Sequence, residues 1–445
     1  MVAPARAVAF RILMQTAKGA HSDELLRSRL VDALAAQDRA LATTLVLGAL
    51  RWQIHLDARL RPLLSRPNAA LPPAVETALR LGAYQLLHLD RIPPYAAIGE
   101  SVELARQAGE SHASRMVNAV LRKLAQAPRE LDNPEPENAA QIAAAFAHPA
   151  WMVERWARFY GLDAARAICR SNQQPTPISI RVLDSGIEPT LLGEGVQFEP
   201  GKFLASARRV VSGDIVRSQA FRQGRVRIQD EGSQLVAELA GHGARILDTC
   251  AAPGGKTAIL AERNPSAAIT AWDVSKRRLD AMRRTLAPLG DRVHLEVRDA
   301  TTAPLQPAYD LILCDVPCTG TGTIGRNPEI RFRVNTAEIS RQHARQAKIL
   351  SAALAGLAPG GRLLYSTCSL EPEENEAVVA EVLAWNPDIT ACPLDDVIRA
   401  LEARKILTPD GSATLQATAM KNGYLRTMPG IHNCDGFFAS LLTRN

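Results

Sequence analysis

Two cysteines and an aspartate stand where apolar segments end, and these residue types can do chemistry together. The segment LILCDVPCTGTG (311–322) begins as a buried strand and opens into a loop that holds Asp315 and Cys318. A second apolar strand, GRLLYSTC, ends at Cys368. Parallel strands of an open α/β sheet place their carboxyl ends along one edge. We therefore expect two thiols and a carboxylate to converge at that edge.

An earlier strand, RILDTC, leads into the glycine-containing loop CAAPGGK, which spans residues 250–256. Gly254 and Gly255 allow a ligand to approach the backbone, and the helix that follows offers its amide-rich start. The dinucleotide fingerprint GxGxxG is absent, and the phosphate loop GxxxxGK[ST] lacks its first glycine. The loop therefore predicts a ligand other than a dinucleotide or a nucleoside triphosphate.

Two further acids follow the next two strands. Asp273 ends AITAWDV, where acids bind ribose hydroxyls in such folds, and Asp299 ends VHLEVRD, where it could receive an exocyclic amine. A single aspartate at a strand end is more often a helix cap. In order with the glycine loop, however, the two acids favour S-adenosylmethionine as the cofactor.

A thiol beside a methyl donor suits one particular reaction. Carbon 5 of cytosine is a poor nucleophile until a thiolate adds to carbon 6 and turns the ring into an enamine. An ordinary thiol has a pKa of about 8.5, so a helix terminus or a nearby cation must help to form the thiolate, and Lys256 could supply that field. Asp315 could hydrogen-bond the N3 and N4 edge of the base. One cysteine suffices for attack and a second could assist release, and the residues alone leave open which does which.

The chain predicts a multidomain protein. Residues 1–130 predict an all-helical bundle of five to seven helices, broken at GAHSDE, SRPNAALPP and DRIPPY. PRELDNPEPEN (128–138) is typical of a linker, and residues 148–225 predict a small mixed α/β segment. Residues 226–445 alternate strand and helix, which indicates a Rossmann-like doubly wound α/β domain, with GFFASLL as its final edge strand.

Composition limits the class of protein. The chain has 445 residues, 47% hydrophobic and 22% charged, with no apolar run long enough to cross a membrane and no export signal that we recognise. Its seven cysteines form no tight pairs, so we expect a cytoplasmic protein without a metal site, in which Cys250 and Cys314 only pack.

The net charge of +6 arises in residues 1–130, which hold 17 Lys/Arg against 11 Asp/Glu. This favours a polyanionic partner, and one helix places Arg115, Asn118 and Arg122 on a single face beside Lys123 that could grip phosphates or simply be solvated.

The motifs CAAPGGK, DVPCTGTG and STCS, in this order, resemble the RNA cytosine-C5 methyltransferases of the RsmB/NOP/Sun family. IQDEGSQLV (228–236) and DGFFASLL (435–442) resemble flanking motifs of that family. The basic helical region resembles the NusB-like RNA-binding module, and NAVLRKL with HPAWMVERW resembles the branch that acts on small-subunit ribosomal RNA. The resemblance covers nearly the whole chain and is weakest at 180–225 and 385–425.

The resemblance implies a role for each matching residue. Cys368 would attack carbon 6, Cys318 would help to release the product, and Asp315 would face the base. DNA cytosine methyltransferases instead attack with the cysteine of their PC motif, which corresponds to Cys318. The residues that would bind S-adenosylmethionine are Cys250, Ala251, Ala252, Pro253, Gly254, Gly255, Lys256, Asp273, Asp299 and Asp315. The expected partner is RNA, most simply 16S ribosomal RNA, with the protein a monomer that contacts no membrane.

Three other functions are compatible with parts of this pattern. The same chemistry could act on transfer RNA, since a NusB-like module indicates ribosomal RNA only by analogy. A non-catalytic RNA-binding or antitermination factor could keep the fold as a scaffold, although the retained cysteines, Asp315 and cofactor loop disfavour this. An amino-group methyltransferase would be expected to carry an aromatic residue where Cys318 follows the proline.

Overall fold

The computed structural model describes residues 2–127, 135–302 and 308–445. The chain forms two compact units, one made of Met1–Pro175 with Ile324–Arg333, the other of Thr176–Thr323 with Val334–Asn445. Most of the expected linker, residues 128–134, and the end of the expected first domain at residue 130 lie outside the described residues. Within the described residues, no helix is long and apolar enough to cross a membrane.

The first unit is helical. Its helices are α1 (Pro4–Thr16), α2 (Ser22–Leu26), α3 (Arg29–Asp32), α4 (Ala36–Arg51), α5 (Gln53–Leu60), α6 (Pro73–His88), α7 (Pro94–Gln107), α8 (Ser114–Gln126), α9 (Ala139–Ala145), α10 (Ala150–Tyr160) and α11 (Leu162–Gln173). The described part before residue 128 thus holds eight α-helices, where five to seven were expected. The short helices α2 and α3 are the extra ones, because four or five residues show no helical period in a sequence.

Apolar periodicity and proline explain these helices. Three of them, α1, α6 and α7, begin with a proline, whose missing N–H costs nothing at the first helical position. Their apolar faces meet in one core, which includes Leu45, Leu81 and Leu121. On α8, Val117 and Leu121 are buried while Arg115, Arg122 and Lys123 are exposed, so the basic face predicted for this helix lies outside the core.

Ten residues from the later part of the chain complete this helical unit. They run from Ile324 to Arg333 and end in the short helix Ile330–Arg333 (α17 in chain order). The buried carboxylate of Glu329 accepts hydrogen bonds of 2.8 Å from both the backbone N–H and the hydroxyl of Ser22. The guanidinium of Arg331, 1% exposed, donates to the carbonyls of Arg51 and Ala147, both at 2.9 Å. The charged side chains of Glu329 and Arg331 are thus buried with hydrogen-bonding partners from the helical unit.

The second unit begins with a small antiparallel sheet of four strands. Its elements are β1 (Ile178–Val182), α12 (Glu188–Gly193), β2 (Gln197–Pro200), β3 (Ala207–Ser212), α13 (Gln219–Arg222) and β4 (Val226–Ile228). The strand order is β2-β3-β1-β4. Ile180, Leu191 and Ile215 lie in its core.

A larger sheet, with both parallel and antiparallel strands, follows and carries the site. Its elements are α14 (Glu231–Ala240), β5 (Arg245–Asp248), α15 (Gly255–Arg263), β6 (Ala268–Asp273), α16 (Lys276–Leu286), β7 (Val293–Val297), β8 (Tyr309–Asp315), α18 (Thr336–Ala355), β9 (Leu357–Thr367), α19 (Glu376–Trp385), β10 (Ile389–Cys392), α20 (Asp395–Ala403), α21 (Pro409–Thr414), β11 (Met420–Lys421), β12 (Tyr424–Arg426) and β13 (Phe438–Arg444). The strands run β11-β12-β13-β9-β8-β5-β6-β7, and β5 to β9 are mutually parallel. Apolar clusters pack on both faces.

The expectation that GFFASLL forms an edge strand is wrong. Strand β13 pairs with β9 on one side and with both β10 and β12 on the other. Strands β10 to β12 come from residues 389–426, where two- to four-residue strands give too little alternation to be recognised. The polar segment SATLQATAMKNGY (412–424) leads into the hairpin of β11 and β12, which extends the sheet beyond β13.

Candidate active site

Four parallel strands bring the predicted residues to one edge of the large sheet. Asp315 is the last residue of β8 and is paired in register with Ser366 of β9, two residues before Cys368. The loop after β5 begins beside Cys250, and β6 ends at Asp273. The carboxyl ends of these strands therefore bring together residues that lie more than 100 positions apart in the chain.

The thiols of Cys318 and Cys368 lie next to each other, with their sulfur atoms 3.3 Å apart. The two loops are also joined by the backbone, because the N–H of Gly322 donates to the carbonyl of Cys368 at 2.9 Å. The hydrogen bond with Cys368, burial, and the nearby charges of Cys368 and Glu374 all raise the pKa of Cys318 well above its usual value. Cys318 is therefore held as a neutral thiol.

Asp315 lies between a cation and a hydroxyl. Its Oδ2 is 2.7 Å from Nζ of Lys256, and its Oδ1 accepts a hydrogen bond of 2.7 Å from the Ser366 hydroxyl. Burial opposes the charge of Lys256, but the charge and hydrogen bond of Asp315 outweigh it and raise the pKa of Lys256. The charge of Cys368 adds to this effect, so the ammonium also lies within electrostatic reach of that thiol. The Lys256 ammonium lies 5.2 Å from the ring centre of Phe437.

The glycine loop after β5 is shaped by contacts that leave no room for a side chain. Gly254 has φ +100°, and a Cβ there would lie 2.7 Å from Cγ of Met282. The backbone N–H of Ala251 donates to the carbonyl of Trp272 at 2.8 Å, which ties the loop to β6. Ala251 and Ala252 are buried, the peptide bond between Ala252 and Pro253 is cis, and Gly255 begins α15. The loop is thus a compact cradle at a helix start.

Beneath this loop lies a buried carboxylate that the sequence analysis missed. Asp248, 1% exposed, accepts a hydrogen bond of 2.7 Å from the Thr257 hydroxyl through Oδ2, while its buried Oδ1 has no partner among the described residues. Burial raises the pKa of Asp248 to about 7. Burial likewise raises the pKa of Cys250 well above its usual value and that of Cys314 to about 12. Both cysteines are therefore held as packed thiols.

The other two predicted acids differ in their surroundings. Asp273 is buried, with Oδ1 accepting from the N–H of Ser275 at 2.8 Å and Oδ2 lying 3.0 Å from Nη1 of Arg278. Arg278 also donates to the carbonyl of Ala252 at 2.6 Å, so it links Asp273 to the glycine loop. Asp299 is exposed beyond β7, and its Oδ1 accepts from the N–H and hydroxyl of Thr301. Its hydrogen bonds thus stay within its own turn.

Three further residues at this edge escaped the sequence analysis. Ser366 lies within the STCS motif itself and Arg278 lies on α16, but nothing in the sequence indicates the partners of these two side chains. The third is Glu374, a buried carboxylate in the acidic run EPEEN that follows Cys368. An acidic run is ordinarily a solvated surface, so its position gave no signal. In the described part of the chain, no group of three or more His, Cys, Asp or Glu side chains is placed to hold a metal ion.

Three family models match consecutive parts of the chain. Residues 3–126 match the NusB family, and residues 148–207 match the ferredoxin-like domain of RsmF/B-like methyltransferases. Residues 238–443 match the family described as 16S rRNA methyltransferase RsmB/F. The predicted fold class is therefore confirmed: a NusB-like helical N-terminal region, a small α/β middle region and a C-terminal methyltransferase domain.

Similar proteins align along nearly the whole chain. A probable ribosomal RNA small subunit methyltransferase B of Bacillus subtilis is 32% identical over 94% of both chains. The ribosomal RNA small subunit methyltransferase B of Xanthomonas campestris is 33% identical, over 92% of this chain and 89% of its own. The solved structure of PH0851 covers 100% of this chain and 99% of its own with a TM-score of 0.81 at 24% identity, which shows a common fold. A methyltransferase homologue from Pyrococcus horikoshii, 27% identical, covers 69% of this chain and 99% of its own with a TM-score of 0.55.

Proposed function

Because this chain belongs to the RsmB/F family of 16S ribosomal RNA methyltransferases, we propose that it methylates carbon 5 of a cytosine in 16S ribosomal RNA. S-adenosylmethionine is the methyl donor, and when bound it supplies an electrophilic methyl group on a sulfonium. In this proposal Cys368 forms a covalent bond to carbon 6 of the base. Carbon 5 then becomes nucleophilic enough to take the methyl group, after which it loses its proton and the carbon–sulfur bond breaks.

The observation that carries the proposal is the 3.3 Å separation of the Cys318 and Cys368 sulfur atoms beside the Lys256–Asp315 pair. Addition to carbon 6 needs one thiolate. Release needs a base that takes the proton of carbon 5, and it is helped by a donor that stabilises the departing Cys368 sulfur. Cys318, held as a neutral thiol, suits the role of this donor and not that of the attacking group, because its S–H lies within hydrogen-bond distance of the Cys368 sulfur. The ammonium of Lys256 lies within electrostatic reach of Cys368, which suits a sulfur that must carry negative charge to attack.

Asp315 would hold the base while negative charge develops on the ring. Its carboxylate is oriented from both sides, by the Lys256 ammonium and by the Ser366 hydroxyl, each at 2.7 Å. A carboxylate fixed in this way can accept a hydrogen bond from the N4 amine of cytosine, and the adjacent ammonium can balance charge at N3.

The residues around the glycine loop fit the methyl donor. Gly254 has φ +100°, and Met282 occupies the space that a side chain there would need, so the loop turns tightly into the amide-rich start of α15, where a ligand could bind. Cys250 to Lys256 would hold the amino-acid moiety, Asp273 the ribose hydroxyls and Asp299 the adenine amine. Arg278 contacts both Asp273 and the carbonyl of Ala252, so it holds the proposed ribose site and the proposed amino-acid site in a fixed relation.

The substrate base has to leave its stack before either face of the ring can be reached, which costs a few kcal/mol. The exposed basic residues of α8 could offset part of this cost through phosphate contacts. This supports a polynucleotide as the substrate. A free nucleoside, which lacks these phosphates, should be a poor substrate.

Variants of the two cysteines test the mechanism. The Cys318→Ala protein should accumulate a complex with ribosomal RNA that survives denaturing electrophoresis, because attack proceeds and release does not. The Cys368→Ala protein should form none. Cys392→Ala is the matched control, since that thiol lies on β10 and bonds to Thr443 instead. A stable complex with Cys368→Ala and none with Cys318→Ala would reverse the two roles.

Bisulfite sequencing of ribosomal and transfer RNA, from cells with and without the gene, tests the substrate. Loss of one protected cytosine in 16S ribosomal RNA is the expected result. Loss in a transfer RNA would keep the chemistry and move the substrate. If every protected cytosine remained, the proposed carbon-5 methylation would be wrong.

A further inference from the structure

The carboxylate of Glu374 connects the loops that carry the two thiols. Glu374 ends a turn of 3-10 helix after β9, and its side chain is fully buried. Its Oε1 accepts from the backbone N–H of Thr319 at 2.9 Å, and its Oε2 accepts from the hydroxyls of Thr319 and of Ser369, the latter at 2.5 Å. Thr319 directly follows Cys318, and Ser369 directly follows Cys368. Each cysteine is therefore followed by a residue that is hydrogen-bonded to the same carboxylate.

A second side chain extends this connection to the other side of Cys318. The amide of Gln346, on α18, donates both to Oε1 of Glu374 and to the carbonyl of Pro317, each at 2.9 Å. The backbone of Glu374 is itself fixed, because the hydroxyl of Tyr365 on β9 donates to its carbonyl at 2.7 Å. Contacts from β9 and α18 therefore fix Glu374 and Gln346, and these two side chains in turn hold Pro317 and Thr319, the residues on either side of Cys318.

The carboxylate of Glu374 accepts from four donor groups, which belong to Thr319, Ser369 and Gln346. An ionised carboxylate has the lone pairs for all four. Burial raises the pKa of Glu374, while the hydrogen bonds from Ser369, Thr319 and Gln346 oppose that rise. The charge of Glu374 is also one of the causes that raise the pKa of Cys318. A carboxylate at this place would thus influence the thiol pair both through geometry and through charge.

We infer that Glu374 is a positioning residue that sets the separation of the Cys318 and Cys368 thiols, and that its carboxylate also acts on Cys318 through its charge. The assignment rests on the proposed function for its consequence in catalysis. The geometric part concerns the thiols alone and is open to a test that needs neither RNA nor a methyl donor.

Phenylarsine oxide provides that test, because trivalent arsenic bridges two thiols only when they lie close together. Two S–H bonds and the arsenic–oxygen bond break, two arsenic–sulfur bonds form and water leaves, with no change of oxidation state. Bridging would be measured on the full-length protein by mass spectrometry of the peptides that contain Cys318 and Cys368. The Cys318→Ala protein sets the background.

Four variants separate geometry, charge and general stability. Glu374→Ala should lower the bridging rate at least about tenfold and methyl transfer about 100-fold, since a misplacement of about 1 Å has an effect of that size. Glu374→Gln should keep bridging close to wild type, because its amide can still connect Thr319 with Ser369. Ser369→Ala removes one connection without touching the carboxylate and should lower bridging to an intermediate rate. Glu231→Ala is the control, since this buried carboxylate accepts hydrogen bonds from the backbone of residues 202–204.

The effect of the negative charge of Glu374 on Cys318 is measured separately, in the Glu374→Gln protein. Loss of the negative charge should shift the pH profile of Cys318 alkylation to lower pH, because one cause of its raised pKa is removed. A purely structural glutamate would leave this profile unchanged. An unchanged profile would therefore contradict the charge part of the inference.

The outcomes keep this inference apart from the proposed function. Loss of bridging in Glu374→Ala, with bridging retained in Glu231→Ala, supports the positioning role even if no RNA is methylated. Unchanged bridging in a folded Glu374→Ala protein overturns it, whatever the methyl-transfer rate. Equal loss in Glu374→Ala and Glu231→Ala also overturns it, because the effect would then be one of stability.

Discussion

Replacing Asp248 by asparagine should make the stability of the protein less dependent on pH. The side chain is buried under the cofactor loop, with one oxygen bonded to Thr257 and the other without a partner among the described residues. Burial raises the pKa of Asp248 to about 7 in the folded protein, whereas an aspartate in an unfolded chain has a pKa of about 3.9. Asparagine has nearly the same shape and does not titrate.

The size and sign of the effect follow from these two values. A folded-state pKa above the unfolded one means that stability is fully present below about pH 4 and is lost as the pH rises towards 7. A difference of about 3 units corresponds to roughly 4 kcal/mol at most. Above pH 7 the wild-type protein carries the whole penalty of a buried charge, and Asp248→Asn does not.

Urea denaturation of the protein without ligands, near pH 4 and near pH 8, measures the difference. We expect the free energy of unfolding of Asp248→Asn to rise relative to wild type between the lower and the higher pH. Asp396→Asn, at an exposed position on α20, is the control and should show no such trend. A difference between Asp248→Asn and wild type that is the same at both pH values would refute the reasoning.

Three other substitutions have definite expected outcomes. Gly254→Ala should weaken binding of S-adenosylmethionine by roughly tenfold or more in isothermal titration, because φ is +100° and the new Cβ would clash; Gly241→Ala, with positive φ but nothing near its Cβ, should bind normally. Glu329→Ala should lower the free energy of unfolding by about 1–3 kcal/mol in urea, since the buried N–H of Ser22 loses its acceptor, and a loss below about 0.5 kcal/mol would contradict this. Arg122→Ala should weaken RNA binding and lower its salt slope by about 1 in filter-binding titrations if the α8 face contacts phosphate, and an unchanged slope would favour a merely solvated face.

Local pattern was enough for the elements that have a clear period. The long helices of residues 1–126 and the parallel strands β5 to β9 follow apolar spacing, and their breaks follow proline and glycine. The short elements were harder. Helices α2 and α3 and strands β10 to β12 span two to five residues. Strands β10 and β12 pair with β13, and β11 pairs with β12, so contacts distant in the sequence decide their place.

The candidate site divides in the same way. The motifs around Cys250, Asp315, Cys318 and Cys368 indicated which sheet edge to consider, because each lies directly after an apolar strand. The cysteine variants test the roles proposed for these residues. Asp299 also follows a strand, and this position is compatible with a ligand contact and equally with the turn that it forms with Thr301.

The sequence by itself determined the order of the domains, the parallel sheet and the residue types at its edge, because these depend on periodicity and on spacing along the chain. Only the tertiary structure decided that two sulfur atoms lie 3.3 Å apart, that Glu374 connects their loops, and that residues 324–333 join the helical unit. These contacts join positions as far apart as Ser22 and Glu329. A buried carboxylate is stable only where donors from several elements meet it, and the sequence of its own element carries no record of those donors.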